Sequence, residues 1–95
     1  MRENQHVLVL VDDDPKILEL TATYLRNQDF TVHTAKNGKD LDEILKKYAA
    51  DLIVLDLMMP EESGLQICQR LRVNKVVIPI IIRITTLIEQ KIIIW

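Results

Sequence analysis

Two rhythms of apolar residues alternate along this chain. Val7 to Val11 is an unbroken run of Val and Leu, the pattern of a short strand buried on both faces. Asp14 followed by Pro15 reads as a helix N-cap and first helical position. Ile17, Leu18, Thr21, Ala22, Tyr24 and Leu25 then recur at helical spacing, which predicts a helix to about Gln28. "FTVHTA" (30–35) reads as a short strand and "KNG" (36–38) as a turn, and Leu41, Ile44, Leu45 and Tyr48 mark one face of a second helix. "DLIVLDL" (51–57) is a third strand, apolar within except for Asp56, and "MMPEESG" (58–64) is a loop. Leu65, Ile67, Cys68 and Leu71 predict a third helix, and "VVIPIII" (76–82) a fourth strand with Pro79 as an irregularity inside it. The order βαβαβαβ predicts an α/β fold, a parallel sheet with helices on both faces. Sites in such sheets lie at the carboxyl ends of the strands, near the switch point.

The pattern fails after Ile82. "RITTLIEQKIIIW" (83–95) has no clear period; it reads as an atypical tail, with a short helix from Thr86 to Lys91 followed by an apolar end.

Composition narrows the class without choosing a function. Ninety-five residues, 48% hydrophobic and 27% charged, suit one globular domain. A net charge of −2 gives no global field for nucleic acid or a membrane surface. The single cysteine, Cys68, cannot form an internal disulfide and suits a reducing cytosol; on the third helix it reads as a small core hydrophobe. The opening "MRENQH" is polar, unlike a signal peptide, and no apolar run reaches the length of a membrane span, so a cytoplasmic location is expected.

The chemistry concentrates in acids. Asp12, Asp13 and Asp14 stand side by side at the end of the first strand, although neighbouring carboxylates repel. Asp14 is accounted for as the cap. Asp12 and Asp13 alone fit equally well as solvated turn residues or as cation ligands. Asp56 changes that balance: an apolar strand does not take an unpaired carboxylate, so Asp56 must reach the sheet end and a partner there. With the first and third strands as neighbours, three carboxylates converge, an arrangement that suits Mg²⁺. A carboxylate beside a metal can act as a nucleophile toward a phosphoryl group. A D-x-D phosphatase built on Asp12 and Asp14 is disfavoured, because Lys16 stands where that signature wants Thr or Val. A dinucleotide site is excluded, because "DDDPK" lacks the glycines that cradle phosphate.

The stretches "VLVLVDDDP" (7–15), "YLRNQDFTVHTAKNG" (24–38), "DLIVLDLMMPEESGL" (51–65) and "VVIPIII" (76–82) together resemble the receiver domain of bacterial two-component response regulators, over about residues 6–82. The resemblance implies a flavodoxin-like doubly wound sheet, here incomplete, with the family's last strand and helices missing. It implies that Asp56 accepts a phosphoryl group from a histidine kinase. Asp12 and Asp13, with Asp56 and the backbone carbonyl of Met58, would hold Mg²⁺, and Pro60 and Gly64 would shape the loop. The module would signal by phosphorelay rather than act as an enzyme. "DLMMPEESGLQICQRLR" resembles regulators with a DNA-binding domain, although this chain alone would bind no nucleic acid.

The departures are local. The family places a switch Thr or Ser five residues past a proline like Pro79, where this chain has Ile84; Thr85 and Thr86 come one and two places late. The family's Lys on a fifth strand has no match, since Lys91 lies in no comparable context. Asp29 stands where Gly often follows the first helix, which Asp tolerates in the left-handed conformation. Residues 1–82 thus read as a receiver fragment and 83–95 as a tail such as an out-of-frame end would leave, with switching impaired. Without a fifth strand, the fourth would be an open apolar edge, which predicts self-association as a dimer or domain swap. The alternative function is a non-signalling remnant that self-associates in this way. His6 and His33 have no partner that the sequence names, Met58 and Met59 read equally as gap fillers, and Trp95 as a probe.

Overall fold

The computed structural model describes residues 5–85 and 90–94. Five strands, β1 (Val7–Val11), β2 (Thr31–Ala35), β3 (Leu52–Asp56), β4 (Ile80–Thr85) and β5 (Gln90–Ile94), form one sheet in the order β2-β1-β3-β4-β5. The first four are parallel, as their alternation with α1 (Pro15–Asn27), α2 (Gly38–Lys47) and α3 (Gly64–Val73) requires. The chain runs from β1 outward to β2 and returns to β3 on β1's other side. The switch point therefore lies between the carboxyl ends of β1 and β3, where Asp12 and Asp56 stand.

Each helix begins where its cap dictates. The Asp14 carboxylate accepts from the backbone N–H of Lys16 and Ile17, with Pro15 in the first turn. Asn37 caps α2 through the Asp40 N–H, so the expected "KNG" turn carries the cap. Ser63 and Gln66 form a reciprocal capping box at α3. Asp29 has φ 72°, the left-handed conformation expected of it.

Side chains on the two sheet faces alternate, as the pleat demands. Val9, Val11, Ile53, Leu55, Ile80 and Ile82 pack beneath α2 and α3 with Leu41, Ile67, Cys68 and Leu71. Leu8, Leu10 and Val32 face α1 through Leu18 and Ala22, with Leu52 and Val54 partly buried beside them. Asp56, two residues beyond Val54, therefore belongs to the α1 side. No helix of the described residues is long and apolar enough to cross a membrane.

Three expectations about the C-terminal third are corrected. Val76 to Pro79 are not strand; β4 starts at Ile80. Pro79 has no N–H to give the ladder, and the Arg72 guanidinium occupies the carbonyls of Val76 (2.7 Å) and Ile78 (2.9 Å). Second, β4 is not an open edge: β5 pairs with it antiparallel, from Ile81↔Ile94 to Thr85↔Gln90. Third, of the helix expected over Thr86 to Lys91, residues 86–89 lie outside the described residues, while Gln90 and Lys91 are strand. Isoleucine is stiff at χ1 and favours pleated backbone, so an isoleucine-rich end beside an unpaired apolar edge adds to the sheet. The boundary between Ile82 and Arg83 falls inside β4.

Candidate functional site

At the end of β1 the chain must turn from sheet into helix, and acids make that turn. The Asp12 N–H donates to the Ala35 carbonyl (3.1 Å), extending the ladder one residue. Its carboxylate Oδ1 then accepts from the Asp14 N–H (2.9 Å), an Asx turn that leads into the Asp14 cap. Two of the three adjacent acids are thus tied to backbone N–H groups at a helix start, where the dipole favours negative charge. Asp13 is exposed, whereas Asp12 is only 4% exposed.

β3 delivers Asp56 to the same place. Asp12, Asp13 and Asp56 each offer a carboxylate oxygen, and these atoms lie within 4.8 Å of one another. The expected convergence is therefore present. Burial pushes the Asp56 carboxyl above the ordinary aspartate range, and the negative charge of Asp12 pushes it further, with a smaller push from Asp13. The Arg83 guanidinium and a backbone hydrogen bond with Met58 work in the other direction.

Arg83 was not anticipated as a site residue. It pairs in register with Asp56 across β3 and β4. Its Nη2 donates to Asp12 Oδ2 at 2.6 Å, joining residues 71 apart in sequence. The signal was available: Arg83 ends the run "IPIII" as a lone charge, the same feature that singled out Asp56. Leu10, Ile17, Leu18, Thr21 and Val54 line the small cleft that these charges share.

The loop from Leu57 to Ser63 is built around its glycine. The Gly64 N–H donates to the Leu57 carbonyl (3.0 Å). A Cβ on Gly64 would collide with the backbone carbonyl of Asp56, so only glycine lets α3 start this close beneath the acid. Pro60 accepts from the Glu62 N–H (2.8 Å), with Glu61 in the left-handed region at φ 69°. Glu62 is held in turn by Arg70, whose Nε and Nη2 reach its two oxygens (2.7 and 3.1 Å) while Nη1 reaches Asp42 (3.0 Å). Met58 is exposed and Met59 packs against the α2/α3 core.

Other expected residues have these placements. Ile84 packs against the α2/α3 core. Thr85 is the last residue of β4, and Thr86 lies outside the described residues. The histidines do find partners: His6 Nδ1 lies 3.7 Å from Asp51, and His33 stacks on Tyr48 at 4.0 Å. Cys68 is fully buried, and burial pushes its thiol pKa up, the setting of an inert core cysteine.

Three hard carboxylate oxygens at this separation fit Mg²⁺, and the excess of negative charge around Asp56 is what such an ion would relieve.

Residues 8–93 match the sequence profile of the response regulator receiver domain. Regulatory protein VanR of Enterococcus faecium is 40% identical over 74 residues, covering 78% of this chain and 32% of that protein. Transcriptional regulatory protein GltR of Pseudomonas aeruginosa is 39% identical over 72 residues, covering 76% of this chain and 30% of that protein. The chain thus spans about a third of the length of these relatives. A response regulator receiver protein from Pseudomonas putida superposes with a TM-score of 0.82 at 22% identity, over 92% of this chain and 74% of that one. The BeF3-activated receiver domain of Klebsiella pneumoniae RstA gives 0.77 at 31% identity, over 85% of this chain and 68% of that one.

Proposed function

This chain belongs to the response regulator receiver domain family, and from that premise we propose that it accepts a phosphoryl group from a histidine kinase on Asp56. The observation that carries the reading is the convergence of Asp12, Asp13 and Asp56 within 4.8 Å at the switch point. An Asp56 carboxylate oxygen attacks phosphorus, the P–N bond to the donor imidazole breaks, and the product is an aspartyl phosphate with the ring nitrogen free to take up a proton. Asp12, Asp13, Asp56 and the Met58 carbonyl would hold Mg²⁺. When bound, the ion neutralises phosphoryl oxygens as charge moves in the transfer.

The chain's own residues prepare this step. The strand end fixes Asp56, and Gly64 lets the following helix start without displacing it. Pro60 and the Glu62–Arg70 pair hold the loop that frames it. Asp12, tied at Oδ1 to the helix start, cannot swing away. Thr85 or Thr86 is the candidate for the switch hydroxyl. On this reading the acceptor and metal ligands Asp12, Asp13, Asp56 and Met58 all fall within residues 1–82, and residues 83–95 depart from the family pattern at the switch position, where Ile84 stands, so that switching is impaired. The module signals in the cytoplasm rather than turning over a substrate, and by itself binds no nucleic acid. Self-association is the second partner reading. With β4 covered, its support is the exposure of Leu20 and Tyr24 on α1 rather than an open β4 edge.

The test is incubation with Mg²⁺ and a small phosphodonor such as phosphoramidate, read by intact mass. The expected result is the increment of one phosphoryl group, absent in Asp56→Asn. No increment, or one that persists in Asp56→Asn, would contradict the assignment.

A further inference from the structure

We infer that Arg83 is a tethered cation that occupies Asp12 in the metal-free protein and must leave it when a divalent ion binds, so that Arg83 sets the metal affinity of this site. The inference rests on the reading of Asp12, Asp13 and Asp56 as metal ligands. It adds a competitor that the chain itself supplies.

The geometry leaves Asp12 no idle oxygen. Oδ1 is committed to the Asp14 N–H (2.9 Å), and that bond holds the turn into α1. Oδ2 is the remaining oxygen, and the Arg83 guanidinium lies on it at 2.6 Å. An ion drawing on Asp12 through Oδ2 meets a positive charge already in hydrogen-bond contact with that oxygen. A guanidinium and a divalent ion on one oxygen repel each other, and the low-dielectric surroundings of a 4%-exposed carboxylate strengthen the repulsion.

Arg83 can also withdraw. It stands opposite Asp56 on β4, its side chain is 29% exposed, and among the described residues its side-chain bond is to Asp12. A long side chain with an open flank can exchange that bond for water without moving its strand. Arg70 is different in kind, since three bonds to Glu62 and Asp42 hold it. Among the described residues no buried side-chain polar atom lacks a hydrogen-bond partner, so with Arg83 in place the hydrogen bonds of Asp12 are met, although the charge of the three acids is not balanced.

The test is metal binding itself, with Mn²⁺ as the paramagnetic probe and Mg²⁺ by calorimetry, on wild type, Arg83→Met and Arg83→Lys. Arg83→Met is expected to bind both ions at least tenfold more tightly than wild type, and Arg83→Lys to fall between them. Equal or weaker binding by folded Arg83→Met would overturn the inference while leaving the metal site intact. Failure of all three folded chains to bind would overturn the metal-site reading and this inference with it. Should Arg83→Met not fold, the wild type still decides. Rotation of the Arg83 guanidinium, followed by nitrogen NMR during a Mg²⁺ titration, is expected to change from slow to fast as the ion saturates the site. Rotation that stays slow with Mg²⁺ bound would overturn the inference.

Discussion

Arg70 and Arg83 both meet carboxylates, and they do so differently. Arg70 makes three bonds to two acids, a forked pair with Glu62 and a single bond to Asp42. Its pKa is raised because those partners favour the charged form, Glu62 first. Among the described residues Arg83 bonds one acid, Asp12, while Asp13 and Asp56 crowd the same place. The first cluster engages all three guanidinium nitrogens and ties the loop before α3 to α2. The second has more negative charge than its arginine answers. An excess of charge that the chain does not cancel is costly, and its placement at the sheet's switch point is where function belongs. The loop from Leu57 to Ser63 joins the two, with Asp56 before it and Glu62 within it.

The largest effect should come from breaking the second cluster at its buried member. Asp12→Ala removes the acceptor of both Arg83 and the Asp14 N–H. Removing one partner of a buried pair costs up to 3–5 kcal/mol, and partial exposure of Arg83 reduces that to about 2–3 kcal/mol in urea unfolding. Gly64→Ala comes next. The new methyl meets the Asp56 backbone, which should cost about 1–3 kcal/mol and lower phosphoryl acceptance even where the chain is folded. Arg70→Ala should cost about 1–2 kcal/mol of stability, discounted for a side chain 33% exposed. It should leave Mg²⁺ affinity unchanged; a fall in affinity would show that the two clusters are coupled. Arg70→Lys should restore only part of the stability, because an ammonium cannot make the fork.

The smallest effect sharpens the comparison by its sign. Asp56 has a folded-state pKa raised above its unfolded value. Its contribution to stability is therefore fully present below the ordinary aspartate range and is lost as pH rises through the raised folded value. Asp56→Asn removes that loss. In metal-free buffer the variant should unfold at higher urea than wild type at neutral pH, with the gain shrinking to nothing below the ordinary aspartate range. A gain that grows toward acid would contradict the charge crowding.

Local signals were the legible ones. Asp14–Pro15 announced α1, the Val-Leu run announced β1, and one acid in "LIVLDL" announced Asp56. Each depends on residues a few positions apart. The Arg83–Asp12 bond joins β4 to β1 across β3, and no short window shows it. The start of β4 was misplaced because Val76 to Ile78 are apolar enough for a strand, yet Arg72 holds the carbonyls of Val76 and Ile78 from the side. β5 escaped because its isoleucines run without alternation, and pairing along β4, rather than a period of its own, makes it strand.

The central claim, that the second cluster is open to a cation and the first is not, is tested most directly by thermal unfolding in chelator and in millimolar Mg²⁺. Wild type should melt higher with Mg²⁺: an ion at tenfold its Kd adds about 1.4 kcal/mol, a shift of several degrees in a domain of this size. Arg70→Ala should start lower and show the same rise, and Asp13→Ala should show none. A wild type indifferent to Mg²⁺, or an Asp13→Ala variant that keeps the rise, would contradict the account.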